Sequence, residues 1–217
     1  MKRRIFFLSA TGLILLLLSS CIGVTTKITI RNNGAGTLEA EYRISRAVDS
    51  LGKLDGNEGW PPLPVGRADF ERTVSRVDGL RLTSFSSRED EKDRVIRVKM
   101  DFSHPEALAG FLDASGQRAR LSREGQNHRL SLTLGGGIPH QAPELLELAE
   151  TAFEGYTMEL DLTLPRDMQV TVTDGNGREI GQPPAGTLRE TPRNLRFSSS
   201  MAALLSSNEP VCMEILW

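Results

Sequence analysis

The first 21 residues constrain this chain most, because they decide the compartment in which the remainder folds. Residues 2–4 are Lys-Arg-Arg, an apolar run covers residues 5–18, and two serines precede Cys21. This order is typical of a secretory signal. The alternative is an uncleaved transmembrane anchor, but an apolar run of about 14 residues is shorter than the roughly 20 that span a bilayer. We therefore expect an exported protein.

The end of this segment, Leu18-Ser19-Ser20-Cys21, resembles the lipobox of bacterial lipoproteins. The resemblance implies a lipoprotein signal peptide over residues 1–20, diacylglycerol on the Cys21 sulfur, cleavage before Cys21, and acylation of the new amino terminus by a fatty acid such as palmitate. Two or three acyl chains anchor a protein stably, at about 0.8 kcal/mol per buried CH₂. Cys21 is the predicted lipidation site, and residues 21–26 are the predicted lipidated cysteine and short tether. The membrane is thus the expected partner, in the bacterial cell envelope, on its periplasmic side or its surface.

Charge and cysteine content restrict the remaining partners. The chain has 26 Lys and Arg and 28 Asp and Glu, and loss of residues 1–20 changes the net charge from −2 to −5. A mildly acidic chain without a basic block argues against nucleic acid as a partner. With Cys21 acylated, only Cys212 remains, so no internal disulfide forms and the fold depends on a hydrophobic core. A buried free thiol is the simpler interpretation of Cys212, and a reactive or intermolecular thiol is the alternative.

Hairpin signals recur along the mature chain. Residues 27–31 and 37–44 alternate between polar and apolar side chains and flank Asn32-Asn33-Gly34-Ala35-Gly36, a segment suited to a turn. Similar paired segments occur over residues 80–100, 118–134 and 168–180. Helical spacing covers residues 68–77 and 143–153, and Ser103 with Glu106 forms a capping-box pattern for a helix through residue 112. We expect one α+β domain over residues 27–217: a mostly antiparallel sheet of hairpins with about three helices packed on one face.

No pattern of catalytic or metal-binding residues emerges. The three histidines, His104, His128 and His140, lack the spacing of a zinc site. The glycines at 135–137 lack the remainder of a phosphate-loop motif. We therefore expect no enzyme, no metal and no cofactor. An enzyme is kept as a third alternative, which a convergence of His128, Glu159 and Asp161 in one cleft would favour.

The opening of the mature chain resembles one known family. The lipobox followed by ITIRNNGAGTLE (residues 28–39) is similar to the start of LppM-like bacterial lipoproteins, in which the acylated cysteine leads into a strand, a polar turn and a second strand. The strand ending at Leu164-Pro165 is also compatible. The resemblance implies an α+β lipoprotein domain at the envelope, with suspected binding of lipid or glycolipid. It assigns no functional residue, and the sequence predicts no carboxyl-terminal membrane helix of the kind that many relatives carry.

Two binding hypotheses follow. In the first, the protein is a non-enzymatic binding module for a lipid or another apolar ligand, held in a pocket between sheet and helices. Its predicted lining is Leu145, Leu148, Phe153, Leu160 and Leu162, all of which a plain hydrophobic core would also explain. In the second, the protein is an interaction or scaffold component of an envelope assembly. Trp60, in the proline-rich loop of residues 55–66, is then the predicted partner-binding residue.

Overall fold

The computed structural model describes residues 22–45, 66–113, 118–135, 153–183, 185–207 and 210–217. Within these residues the strands are β1 (Ile22–Ile30), β2 (Gly36–Ser45), β3 (Leu80–Glu89), β4 (Asp93–Phe102), β5 (Ala119–Glu124), β6 (Asn127–Leu134), β7 (Thr157–Thr163), β8 (Gln169–Thr173), β9 (Thr187–Thr191), β10 (Asn194–Ser200) and β11 (Val211–Leu216). The helices are α1 (Arg67–Val74), α2 (Pro105–Leu112) and α3 (Met201–Ser206). No helix in this part of the chain is both long and apolar enough to cross a bilayer.

The strands form two sheets, where the sequence predicted one. The larger sheet has the order β3-β4-β2-β1-β7-β10-β9, and the smaller has the order β5-β6-β11-β8. Among the described strands, β1 and β7 pair in parallel and the other named pairs are antiparallel. The α+β class is thus confirmed in broad terms. The helices depart from the predicted packing on one face of a single sheet, because α2 contacts β4 of one sheet and β5 of the other.

Both sheets bury one face in a common hydrophobic core. In the larger sheet, cross-strand pairing places Leu38 and Leu162 on either side of Ile28, and all three are at most 1% exposed. In the smaller sheet, Met213 is fully buried between Leu132 and Val172. Each such side chain contributes about 1.5–3 kcal/mol through burial. The alternation of apolar and polar residues therefore sets which face of each strand meets the core.

The outer face of the larger sheet is polar. Ion pairs connect neighbouring strands across it: Lys99–Glu39 at 2.7 Å, Arg81–Asp101 at 2.8 Å and Arg196–Asp161 at 2.7 Å. Exposed pairs of this kind contribute at most about 1 kcal/mol each. Their main consequence is that opposite charges face each other in the native register.

Helix and strand boundaries differ from the sequence prediction at two informative places. The cap of α2 is His104 rather than Ser103: the His104 Nδ1 accepts the Ala107 amide at 3.2 Å, and Pro105 occupies the first turn. Strand β1 begins at Ile22 rather than at residue 27, so the strand starts directly after Cys21. The predicted helix over residues 143–153 falls almost entirely outside the described residues.

The larger sheet has two ends, which we name by β1. The proximal end is where β1 begins, together with the start of β4 at Asp93 and of β7 at Thr157. The distal end is where β1 stops at Ile30 and β4 stops at Phe102. Nine residues of extended chain span about 27 Å between the two ends.

Candidate functional site

The predicted apolar pocket is described only in part. Leu160 and Leu162 are 5% and 0% exposed and belong to the common core, and Phe153 is 3% exposed. Leu145 and Leu148 lie outside the described residues. Burial is expected both for a plain core and for the wall of an occupied pocket, so the apolar pocket remains a prediction.

The structure does not bring the other predicted site residues together. Cys21 and Trp60 lie outside the described residues. Cys212 is a free, half-buried thiol in β11, which is more exposed than the buried thiol expected. The structure does not bring together the three residues of the enzyme alternative. His128 lies in the smaller sheet, whereas Glu159 and Asp161 face outward from the larger sheet, where Asp161 pairs with Arg196.

Within the described residues, His, Cys, Asp and Glu side chains form no group of three or more that could hold a metal ion.

An open cleft of about 650 Å³ lies at the distal end of the larger sheet. We call it the basic cleft and define it by six side chains on α2, the β5–β6 hairpin and the segment after β7: His104, Glu106, Arg123, Gln126, His128 and Arg166. Four of the six are basic residue types and one is a carboxylate. The β1–β2 loop contributes the remaining wall through residues 32–34.

The β5–β6 hairpin positions two of these side chains. Glu124 pairs with Asn127 around a two-residue turn, and Gly125 has a φ of +62°. Positive φ at the first central residue is the type II′ arrangement, which suits the twist of a hairpin and favours glycine. The register that this turn imposes places Arg123 directly opposite His128. Their Cβ atoms are therefore about 5 Å apart on the same face.

His128 is held firmly. Its ring stacks on Trp217 with centroids 5.4 Å apart and an interplanar angle of 23°. Its backbone N–H donates to the Trp217 carbonyl at 2.9 Å, and its carbonyl accepts the Trp217 N–H at 3.0 Å. The Nδ1 atom is buried and has no hydrogen-bond partner among the described residues. This environment disfavours the imidazolium form, in which Nδ1 would be a buried donor without an acceptor.

Three charged side chains of the cleft affect the pKa of His128. Burial lowers the pKa of His128, and the nearby Arg123 and Arg166 lower it further, whereas Glu106 acts in the opposite direction. Glu106 itself lies 3.3 Å from the His104 Nδ1. Neither Arg123 nor Arg166 has an ion-pair partner within the described part of the chain. Among the described residues, the cleft therefore holds two guanidinium groups that form no ion pair, together with one carboxylate, Glu106.

A second cleft, of about 370 Å³, lies at the proximal end. Its floor contains Asp93, which is 7% exposed and accepts a hydrogen bond from the Tyr156 hydroxyl at 2.7 Å. Arg43 lies 4.0 Å from the second carboxylate oxygen. This arrangement connects the segment before β7 to the start of β4 and satisfies a buried carboxylate, which is a structural role.

Sequence reasoning missed the two arginines of the basic cleft. The hairpin predicted over residues 118–134, with Gly125 in its turn, contains enough information to place Arg123 opposite His128, because hairpin register follows from turn length. Arg166 follows the strand that ends at Leu164-Pro165, and no local periodicity relates it to the β5–β6 hairpin. Its approach to the cleft depends on how the two sheets pack.

No protein-family model matches the chain. No curated protein matches it significantly either. Among solved structures, it is similar to the NMR structure of the folded domain of the Mycobacterium tuberculosis LppM protein. The sequence identity is 14%, the match covers 91% of this chain and 89% of that domain, and the TM-score is 0.48. This result agrees with the resemblance predicted from the opening residues.

Proposed function

We propose that this chain is a lipid-anchored lipoprotein of the bacterial cell envelope whose domain is a non-enzymatic binding module. The lipobox at Leu18 to Cys21 supports the anchor. The observation that supports the binding role is the basic cleft, an open site lined by two arginines that form no ion pair among the described residues. The polar outer face of the larger sheet, in contrast, carries ion pairs between its strands.

The start of β1 supports a defined orientation. Ile22 is already paired with Ile44 in the larger sheet, and consecutive Cα atoms are about 3.8 Å apart. An acylated Cys21 would therefore hold the proximal end at the bilayer, without a flexible tether. With β1 directed away from the surface, the basic cleft lies about 27 Å from the anchor. The binding site is then presented to the space beyond the membrane.

Metabolic labelling tests the anchor. A bacterium expressing the full chain is grown with labelled palmitate, and the purified protein is compared with Cys21→Ser and Cys212→Ser. We expect label in the unmodified chain and in Cys212→Ser, because Cys212 is a half-buried residue of β11. The Cys21→Ser variant should carry none. Label that persists in Cys21→Ser would contradict the proposed anchor.

Native mass spectrometry tests the kind of ligand. The chain is extracted from membranes in a non-ionic detergent and is freed from the detergent micelle in the gas phase. An added mass that extracts into organic solvent would support the apolar pocket predicted around Leu145, Leu148, Phe153, Leu160 and Leu162. Co-purification of a defined protein instead would support the scaffold hypothesis and direct attention to Trp60.

A further inference from the structure

We propose that the basic cleft binds the phosphate group of a soluble ligand. The inference deepens the proposed binding function by naming the ligand chemistry. Arg123 and Arg166 are two guanidinium groups that line one cleft and have no ion-pair partner among the described residues. Both act electrostatically on the same histidine, His128. The two arginines thus line one cleft from different segments of the chain.

Phosphate fits these side chains better than a simple carboxylate does. Each guanidinium offers five N–H donors in a planar fork that matches two oxygens of an oxyanion. Two forks from different directions need an anion with more than two acceptor oxygens, which a phosphate group provides. The neutral His128 ring and the Gln126 amide add uncharged donors at the same cleft. Glu106, the carboxylate of the cleft, lies beside His104.

Two of the donors, Arg123 and His128, lie on paired strands of the β5–β6 hairpin. Arg123 is held in register by β6, and His128 is fixed by Trp217 through ring stacking and two backbone hydrogen bonds. Gly34 of the opposite wall lies against Pro105, since a Cβ at that position would be 3.3 Å from the proline ring. The backbone at Arg123 and the ring of His128 therefore need no rearrangement when an anion binds.

The position of the cleft favours a soluble ligand over a headgroup of the anchoring bilayer. The cleft is at the distal end, and Cys21 would be attached at the proximal end. An anchored chain with β1 directed away from the surface would hold its cleft about 27 Å from its own membrane. A phosphate-bearing molecule in the surrounding solution reaches the cleft without any change in the fold.

The test is a titration of the full chain, extracted from membranes in a non-ionic detergent, with inorganic phosphate at constant ionic strength. Isothermal calorimetry compares it with Arg123→Gln/Arg166→Gln. The matched control is Arg120→Gln/Arg178→Gln, which removes the same charge from exposed positions outside the cleft. We expect saturable binding that weakens at least tenfold in the cleft variant and stays within twofold in the control. Absence of saturable binding, or an equal loss in both variants, would overturn the proposal.

Two further titrations identify the source of the phosphate group. Glycerol phosphate serves as the soluble probe and should compete with inorganic phosphate. For the headgroup, the chain is reconstituted in phosphatidylcholine vesicles and mixed with a second population containing phosphatidylglycerol. If the unmodified chain links the two vesicle populations and the cleft variant does not, the assignment to a soluble ligand is overturned. Palmitate labelling is independent of these results, so failure of phosphate binding is distinguishable from failure of the lipid anchor.

Discussion

The hydrogen bond between Tyr156 and Asp93 provides a sharp test of how the proximal end is stabilised. Asp93 is 7% exposed, and the Tyr156 hydroxyl donates to its Oδ1 at 2.7 Å. The change Tyr156→Phe keeps the ring but removes this donor, and so leaves a buried carboxylate oxygen less satisfied. A hydrogen bond to a charged group contributes about 1.5–3 kcal/mol. We expect the free energy of unfolding to fall by about 2 kcal/mol.

The exposed pair of Arg196 with Asp161 is the matched control. It has the same 2.7 Å contact, but the Arg196 side chain is 67% exposed. Solvent screening limits such a pair to at most about 1 kcal/mol. We therefore expect Arg196→Gln to destabilise the fold by less than half as much as Tyr156→Phe. The comparison separates burial from contact distance as the source of the stabilisation.

Thermal unfolding of the chain in detergent, followed by circular dichroism, measures both variants. For a domain of this size, 2 kcal/mol corresponds to a decrease of about 4–8 °C in Tm. A double-mutant cycle with Asp93→Asn should give a coupling energy of at least about 1 kcal/mol. Equal effects of Tyr156→Phe and Arg196→Gln, or a coupling energy near zero, would refute the reasoning.

Three further predictions concern the core, a close backbone approach and pH. Met213→Ala should destabilise the fold by about 2–5 kcal/mol in chemical denaturation, because Met213 is fully buried at the centre of the smaller sheet. Gly36→Ala should lower the free energy of unfolding by about 1–3 kcal/mol, because the added methyl group would overlap the Thr29 carbonyl and the Phe102 ring. Gly181→Ala is the control: its methyl group would meet no neighbour within 4 Å, so the same assay should show almost no change. Burial lowers the folded-state pKa of His128 below its ordinary value of about 6.5. Its contribution to stability is therefore complete above pH 6.5 and declines as the pH falls below it. We expect Tm, measured over a pH series in phosphate-free buffer, to fall less below pH 6.5 in His128→Gln than in the unmodified chain. The same pH dependence in both proteins would contradict the role of His128 in this loss of stability.

Local patterning predicts much of this fold. The alternation in residues 27–31 and 37–44 is enough to predict the β1–β2 hairpin, and the order of later hairpins follows from their turn residues. The division into two sheets does not follow from these patterns, because β11 joins β6 and β8 through contacts distant in sequence. Alternation predicts which side chains of a strand face a core, but it does not predict which other strand pairs with that strand.

The basic cleft shows the same limit at the level of a site. His128 and Arg123 are neighbours through a local turn, so their proximity is predictable from the hairpin. His104 reaches the cleft as the cap of α2, and Arg166 reaches it from the segment after β7. Those positions depend on tertiary packing. The lipid anchor is the opposite case, since the contiguous residues 1–21 carry the whole prediction.

The most direct test of the account is the mass of the amino-terminal tryptic peptide from membrane-purified protein. Cleavage before Cys21 produces a peptide that runs from Cys21 to Lys27. We predict this peptide with diacylglycerol on its sulfur and an acyl chain on its amino group. A peptide of residues 5–27 with a free Cys21 thiol would show that the signal is retained and unmodified, and it would contradict the lipid anchor.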